Sequence, residues 1–273
     1  MALLTESDAA YHAHPAVSRS ALWTLWNRTP AHVQGMEPPS SRALEFGSLV
    51  HTAILQPEEI DERYVLWPYE MKSGTKNTNQ WKDFVAQAAA QGKRVLATDE
   101  MEMALRMRDN AHKHELVRKL VKDAVVEQSI YFEHEGLEMK ARPDVWSKGL
   151  RLLGDIKTAR SADPIDFGKS VASYGYHLQE AVYTFAADKE GFRPQGFVFI
   201  VVEKEPPHPV AIYQLDERSY DEGWRIFQEA VAKWKEVKDW EASYPLEVQK
   251  ISLPSWAFNK GGHGVLADEI EDF

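Results

Sequence analysis

Two textures of hydrophobic and polar positions divide the chain. Up to about residue 122 the spacing is helical. "AVSRSALWTLWNRTPAHV" offers Ser18 as a cap, then Leu22, Leu25 and Trp26 on one face, and Pro30 as a stop. "RALEFGSLVHTAIL" predicts a helix from Arg42 to about Leu55, stopped by Pro57, with Gly47 and His51 on a shared face. "YVLWP" reads as a short strand, and the polar "YEMKSGTKNTNQ" as a mobile loop. Helices are expected near Trp81–Gln91 and Asp99–Asn110, with "GKRVLAT" between them, and a shorter one over Glu115–Lys122.

The pattern then changes. "VVEQSIYFEHEGLEMKARPDVWSKGLRLLGDIKTA" alternates and is rich in β-branched and aromatic residues, with turns at "HEG" and "SKG". It reads as a three-stranded meander. "YGYHLQEAVYTFAADKEG" is a helix ending at Gly191. "GFVFIVVEKEPP" is a fully apolar strand suited to the middle of a sheet, "PVAIYQLD" is another, and "ERSYDEGWRIFQEAVAKWKEVKDW" is a long amphipathic helix. This order predicts an α+β protein with a central mixed β-sheet flanked by helices. One domain is expected over 1–258, with a core from about 115 to 258 and a helical part over 1–114. The stretch 259–273, acidic and Gly-rich, reads as a flexible tail.

Composition narrows the classes. The 273 residues are 44% hydrophobic, enough for one large core, and contain no Cys. Disulfides, thiolate zinc sites and iron–sulfur clusters are thereby excluded. No apolar run approaches a membrane span, and the start lacks the basic and apolar regions of a signal peptide. A cytoplasmic protein without a membrane partner is expected. The net charge of −10 weighs against a nonspecific nucleic-acid coat, but a local basic cleft is compatible with an acidic exterior.

The chemistry concentrates in "MKARPDVWSKGLRLLGDIKTA". Asp155 and Lys157 share a strand face, and a turn near Lys148 brings Asp144 onto the neighbouring strand. Two carboxylates this close repel unless a cation neutralises them. Oxygen donors suit Mg²⁺ or Mn²⁺, and the Ile156 carbonyl is available as a further ligand. Plainer readings stand beside this one. Asp144 after Pro143 can be a turn residue, Asp155 and Lys157 an exposed salt-bridged pair, and His51 a satisfied core histidine. Gln179 and Tyr183, four apart on the next helix, can mark an amphipathic boundary or face the same cleft.

Together these pieces resemble the PD-(D/E)xK nuclease superfamily. Pro143-Asp144 and Asp155-Ile156-Lys157 match its motif, His51 in "GSLVH" its RecB-like histidine, and "QEAVY" its Gln-x-x-x-Tyr helix. "YHAHPAVSRSAL", "LEFGSLVHTAILQPEEIDERYV", "EQSIYF", "FVFIVVE" and "ISLPSWA" extend the likeness to the RecE-type phage exonucleases, from about Tyr11 to Ala257. The resemblance implies a restriction-endonuclease-like core and a Mg²⁺-dependent exodeoxyribonuclease, with Mn²⁺ as a substitute. It implies 5′ to 3′ degradation of one strand from double-stranded DNA ends, leaving a 3′ single strand for a RecT-like annealing protein. It also implies a homotetrameric ring. By position, Asp144, Asp155 and His51 are metal ligands with the Ile156 carbonyl, and Lys157 is the catalytic lysine. Gln179 and Tyr183 are accessory catalytic residues. Glu127 matches a recurrent acidic position, or is an ion-pair partner.

Lys140, Arg142, Arg160 and Lys169 beside the motif, and Lys72 and Lys76 in the polar loop, are candidate DNA contacts or solvated surface charges. An endonuclease on the same fold and a non-catalytic DNA-end clamp are the alternatives. No GxxxxGK[ST] motif indicates an ATP motor.

Overall fold

The computed structural model describes residues 3–4, 6–36, 41–68, 78–122 and 124–258. The chain opens with β1 (Leu3–Leu4), α1 (Asp8–Ala13), β2 (Val17–Ser18), α2 (Arg19–Asn27), α3 (Pro30–Gln34), α4 (Arg42–Leu55) and α5 (Ile60–Arg63). β3 (Tyr64–Leu66), α6 (Asn79–Ala90), β4 (Arg94–Leu96), α7 (Thr98–Lys113) and α8 (Glu115–Lys122) follow. Then come β5 (Ala124–Val126), β6 (Ser129–His134), β7 (Leu137–Ala141), β8 (Val145–Ser147), β9 (Leu152–Ala159), α9 (Pro164–Tyr174) and α10 (Tyr176–Lys189). β10 (Gly196–Glu203), β11 (Val210–Tyr213) and α11 (Glu217–Glu236) complete a compact unit that ends at Ala242. From Ser243 a separate unit begins; its described part is irregular chain and one turn, α12 (Ser255–Phe258).

Mixed sheets flanked by helices make up the fold, as the α+β pattern of elements predicts. The principal sheet has the order β11-β10-β9-β8-β5; β9 and β10 run parallel and the other neighbours antiparallel. β10 has a strand on each side and is buried through its apolar run, which explains its lack of alternation. One sheet face carries Leu153, Phe197, Phe199 and Val201 into a core with Leu178, Val182 and Phe227. The other carries Ile156, Val198, Ile200 and Val202 against Leu49, Val50 and Ala53 of α4 and Met107 of α7. Among the described residues no helix is long and apolar enough to cross a membrane.

The three-stranded meander is in fact divided between two sheets. β6 and β7 form a hairpin in a second sheet, β1-β6-β7-β2, whereas β8 and β9 belong to the principal one. The break falls at Arg142-Pro143-Asp144, where proline lacks the N–H a continuous ladder needs. Pro30 likewise does more than stop a helix: α2 ends at Asn27, and Pro30 is the first residue of α3. Ser18 caps α2 as expected, its hydroxyl accepting from Ala21 N at 3.2 Å. "GKRVLAT" contains β4, which pairs in parallel with β3.

Candidate active site

The site is built where β8 falls short of β9. The two strands pair with Val145 opposite Gly154 and Ser147 opposite Leu152. One further step in that register sets Asp144 directly opposite Asp155. β8 does not reach this step, so the Ile156 backbone has no strand partner on that side. Its N–H instead donates to Asp144 Oδ2 at 2.7 Å, and its carbonyl meets His51 Nε2 at 2.8 Å. The break at Pro143 thus frees backbone groups that the side chains of the site take up.

His51 reaches the gap from α4, which packs against β9. Gly47 lies one turn earlier on the same face, where a Cβ would make an ordinary contact with Thr158 Oγ1 at 3.5 Å. His51 Nδ1 is 3.3 Å from Asp144 Oδ2. Both ring nitrogens therefore face oxygens of the site, which a core-filling histidine does not need.

Asp155 is 3% exposed. One of its oxygens accepts from the Gln179 amide; the other contacts the Lys157 ammonium and has no hydrogen bond. Lys157 also sits 4.4 Å from the centre of the Tyr176 ring. Burial raises the Asp144 carboxyl pKa, and the Asp155 charge raises it further; His51 and Lys157 partly oppose the shift. Tyr183, one turn beyond Gln179, has its phenol pKa raised by burial and then by Asp155, so it stays protonated and can act as a donor.

Arg19, the first residue of α2, escaped the sequence reading. Its guanidinium donates to Gln179 Oε1 at 3.3 Å and to the Tyr174 carbonyl at 3.0 Å. Because Gln179 accepts from Arg19, its amide N–H₂ is turned toward Asp155. A hydrogen-bonded line thus runs Arg19–Gln179–Asp155. Nothing within "VSRSAL" separates this arginine from a surface one, since its partners lie far along the chain.

Two expected DNA contacts are engaged inside the protein. Lys140 is 5% exposed, and its ammonium donates to the carbonyls of Tyr11, His12 and His14 at 2.6, 3.4 and 2.7 Å. It closes the end of α1, where unpaired carbonyls favour a cation. Arg142 donates to Asp8 Oδ1 at 2.6 Å, to the Glu127 carbonyl at 2.9 Å and to the Glu6 carbonyl. It ties the N-terminal segment to the sheet break. These contacts correct the expectation that either residue faces a phosphate.

Glu127 takes a positive φ of 49° at the start of "EQSIYF", and its N–H donates to the Asp144 carbonyl at 3.1 Å. Its carboxylate lies 3.9 Å from Arg63, the ion-pair alternative, and burial raises its pKa. Lys169 is exposed and pairs with Asp166 at 2.9 Å. Arg160 lines the cleft that opens at Lys157. Lys72 and Lys76 lie outside the described residues.

Among the described residues no three His, Asp or Glu side chains form a ready-made metal cluster. The donors at the sheet gap are two carboxylates, a carbonyl and an imidazole. That set fits a hard divalent cation. The Asp144 pKa, raised by burial and then by the neighbouring Asp155 charge, indicates a site short of positive charge.

A mixed sheet with two acids and a lysine at the point where a neighbouring strand ends defines the PD-(D/E)xK class of nuclease-like folds. The chain belongs to one of its families: residues 27–249 match the PDDEXK-like domain of unknown function DUF3799. Proteins of this class generally use divalent metals. No curated protein matches the chain. Among solved structures, a candidate exonuclease from Eubacterium rectale aligns over 94% of this chain and 99% of its own. It has a TM-score of 0.59 and 15% identity, a likeness of fold. A phage-related exonuclease from Haemophilus somnus aligns over 83% of this chain and 96% of its own, with 14% identity and a TM-score of 0.35, too low to bear on the argument.

Proposed function

We propose that the protein is a Mg²⁺-dependent exodeoxyribonuclease that degrades the 5′ strand of linear duplex DNA and leaves a 3′ single strand for a single-strand annealing protein. The observation that carries this reading is the convergence of Asp144, Asp155, Lys157, His51 and the Ile156 carbonyl at the gap beside β9. Membership of a PDDEXK-like family supports the nuclease chemistry, and the exonucleolytic 5′ to 3′ direction rests on the resemblance of the sequence to the RecE-type exonucleases.

Asp144, Asp155, the Ile156 carbonyl and His51 would hold the cation. When bound, it supplies Lewis-acid charge to the scissile phosphate and lowers the pKa of an attacking water. The chain's own residues do the rest. Gln179, set by Arg19, holds the Asp155 carboxylate in one orientation. Lys157, which lies against Asp155 at the mouth of the cleft, would present an N–H donor to the phosphate oxygen on which charge develops. Tyr183 stays protonated beside Gln179 as a second donor.

The test uses linear duplex labelled at one 5′ or one 3′ end, with Mg²⁺ or EDTA, beside a covalently closed circle. Early release of the 5′ label as mononucleotide, with the circle intact, is expected. Cutting of the closed circle would replace this reading with an endonuclease, and binding of ends without cleavage would replace it with a clamp.

A further inference from the structure

A cleft of about 770 Å³ opens at Lys157, within the roughly 300–1,000 Å³ of small-ligand sites. Its walls include Arg160, Lys204, Tyr174 and Tyr176. Neither Arg160 nor Lys204 forms a salt bridge among the described residues. Asp166 also lines the cleft, but its carboxylate is held by Lys169 at 2.9 Å. Among the described residues, two cations thus stand beside Lys157 with no carboxylate at salt-bridge distance, although the Asp166 charge is felt by Arg160.

The aromatic side of the cleft forms a ladder. The Lys157 ammonium lies over the Tyr176 ring at 4.4 Å. Tyr176 stacks with Tyr174 at 5.7 Å between centroids and 29° between planes. Tyr174 is 60% exposed. Its backbone is pinned from both sides: Arg19 holds its carbonyl, and Gly175 turns the chain in a left-handed conformation with φ 67°. An exposed ring on a fixed backbone needs little ordering when a partner stacks on it.

We propose that this cleft binds an unpaired DNA strand, with a base stacked on Tyr174 and the flanking phosphates held by Arg160 and Lys204. The inference rests on the nuclease reading and names the form of substrate the site takes. Ring platforms interleaved with free cations are the means by which proteins hold single strands. An internal paired base has both faces covered by its neighbours, so only an unpaired base or the outermost pair offers a face to Tyr174. In this proposal the strand being cut is separated from its complement before it reaches Lys157.

The test is run on the full chain in EDTA, so that binding is read without cleavage. The probe is a short single-stranded oligodeoxynucleotide carrying 2-aminopurine, followed by anisotropy and by quenching of the base. Wild type and Tyr174→Phe are expected to bind and quench. Tyr174→Ala should bind roughly 10-fold or more weakly and lose the quench. Arg160→Ala and Lys204→Ala should each lower the salt dependence of binding by about one phosphate contact. Wild-type affinity and quenching in Tyr174→Ala would overturn the proposal. So would a blunt duplex that displaces the single strand at equal concentration. A protein that stacks the strand in EDTA but cleaves nothing in Mg²⁺ would support the cleft and refute the nuclease reading, so the two failures are distinguishable.

Discussion

Lys140 and Lys157 flank one motif and carry the same ammonium, yet they occupy opposite situations. Lys140 is spent on three backbone carbonyls at the end of α1, whereas Lys157 has one carboxylate partner at the mouth of a cleft. The Asp155-Ile156-Lys157 motif marks Lys157 in the sequence, whereas the engagement of Lys140 shows only in its place relative to the sheet break. Glu180 shows a second kind of buried charge. It is 7% exposed, its Oε2 has no hydrogen-bond partner among the described residues, and burial pushes its pKa up to about 8 from an ordinary 4.5. The folded state thus holds a proton that the unfolded chain has lost, so this residue's contribution makes stability fall as pH rises from 4.5 to 8. Glu180→Gln should therefore be more stable than wild type at high pH, by on the order of 2–4 kcal/mol, and nearly equal to it at low pH. Urea denaturation at both extremes measures this; a gap independent of pH would show that Glu180 is not buried as an acid. At this scale Asp144, Asp155, Lys157, His51 and Gln179 were legible because short motifs carry them. Arg19 was not, because its role exists only once α2 lies beside α10.

The central element is α10. It packs against α9, α11 and the β6–β7 hairpin, and its buried residues include His177, Gln179 and Glu180. A helix surrounded in this way shows little amphipathicity, so its sequence announced a helix without a buried face. Gly175 sets its start. The φ of 67° suits glycine, and a Cβ there would lie 2.5 Å from the Trp23 ring. Gly175→Ala should cost at least about 1–3 kcal/mol for the backbone conformation alone, with more from the ring. Adding Trp23→Ala should not restore wild-type stability, since the strained φ remains; full recovery in denaturant titration would contradict this. α4 and α8 were legible to the residue, and β10 at its start though not at its end, which falls at Glu203 rather than Pro207, because apolar spacing and flanking breakers marked them. α9 was not, because "PIDFGKSVASY" mixes Pro, Gly and Ser into a helix that is half exposed. The division of the β6–β9 region between two sheets also escaped the pattern: alternation persists across Pro143, although pairing does not.

At the scale of the molecule, a net charge of −10 and the absence of a P-loop motif in the chain do not suit long digestion by one subunit. A closed ring would reconcile them, because a threaded strand leaves by running off its end. We propose a homotetramer with Arg160 and Lys204 facing its channel; Lys140 and Arg142 are engaged within the subunit. Light scattering should give four times the subunit mass. With trap DNA added, digestion already under way should continue, and it should resist moderate salt better than initial binding does. A monomer that stops at once when trap is added would contradict the ring. The stretch 259–273, expected to be a flexible acidic tail, lies outside the described residues.

The account stands on a cation held at the gap beside β9, and Mn²⁺ titration calorimetry of the full chain and its single variants tests that most directly. Wild type should bind Mn²⁺ at this site, Asp155→Ala should lose that binding, and Lys157→Ala should keep it while cutting DNA orders of magnitude more slowly. Wild-type Mn²⁺ binding by Asp155→Ala would contradict the account.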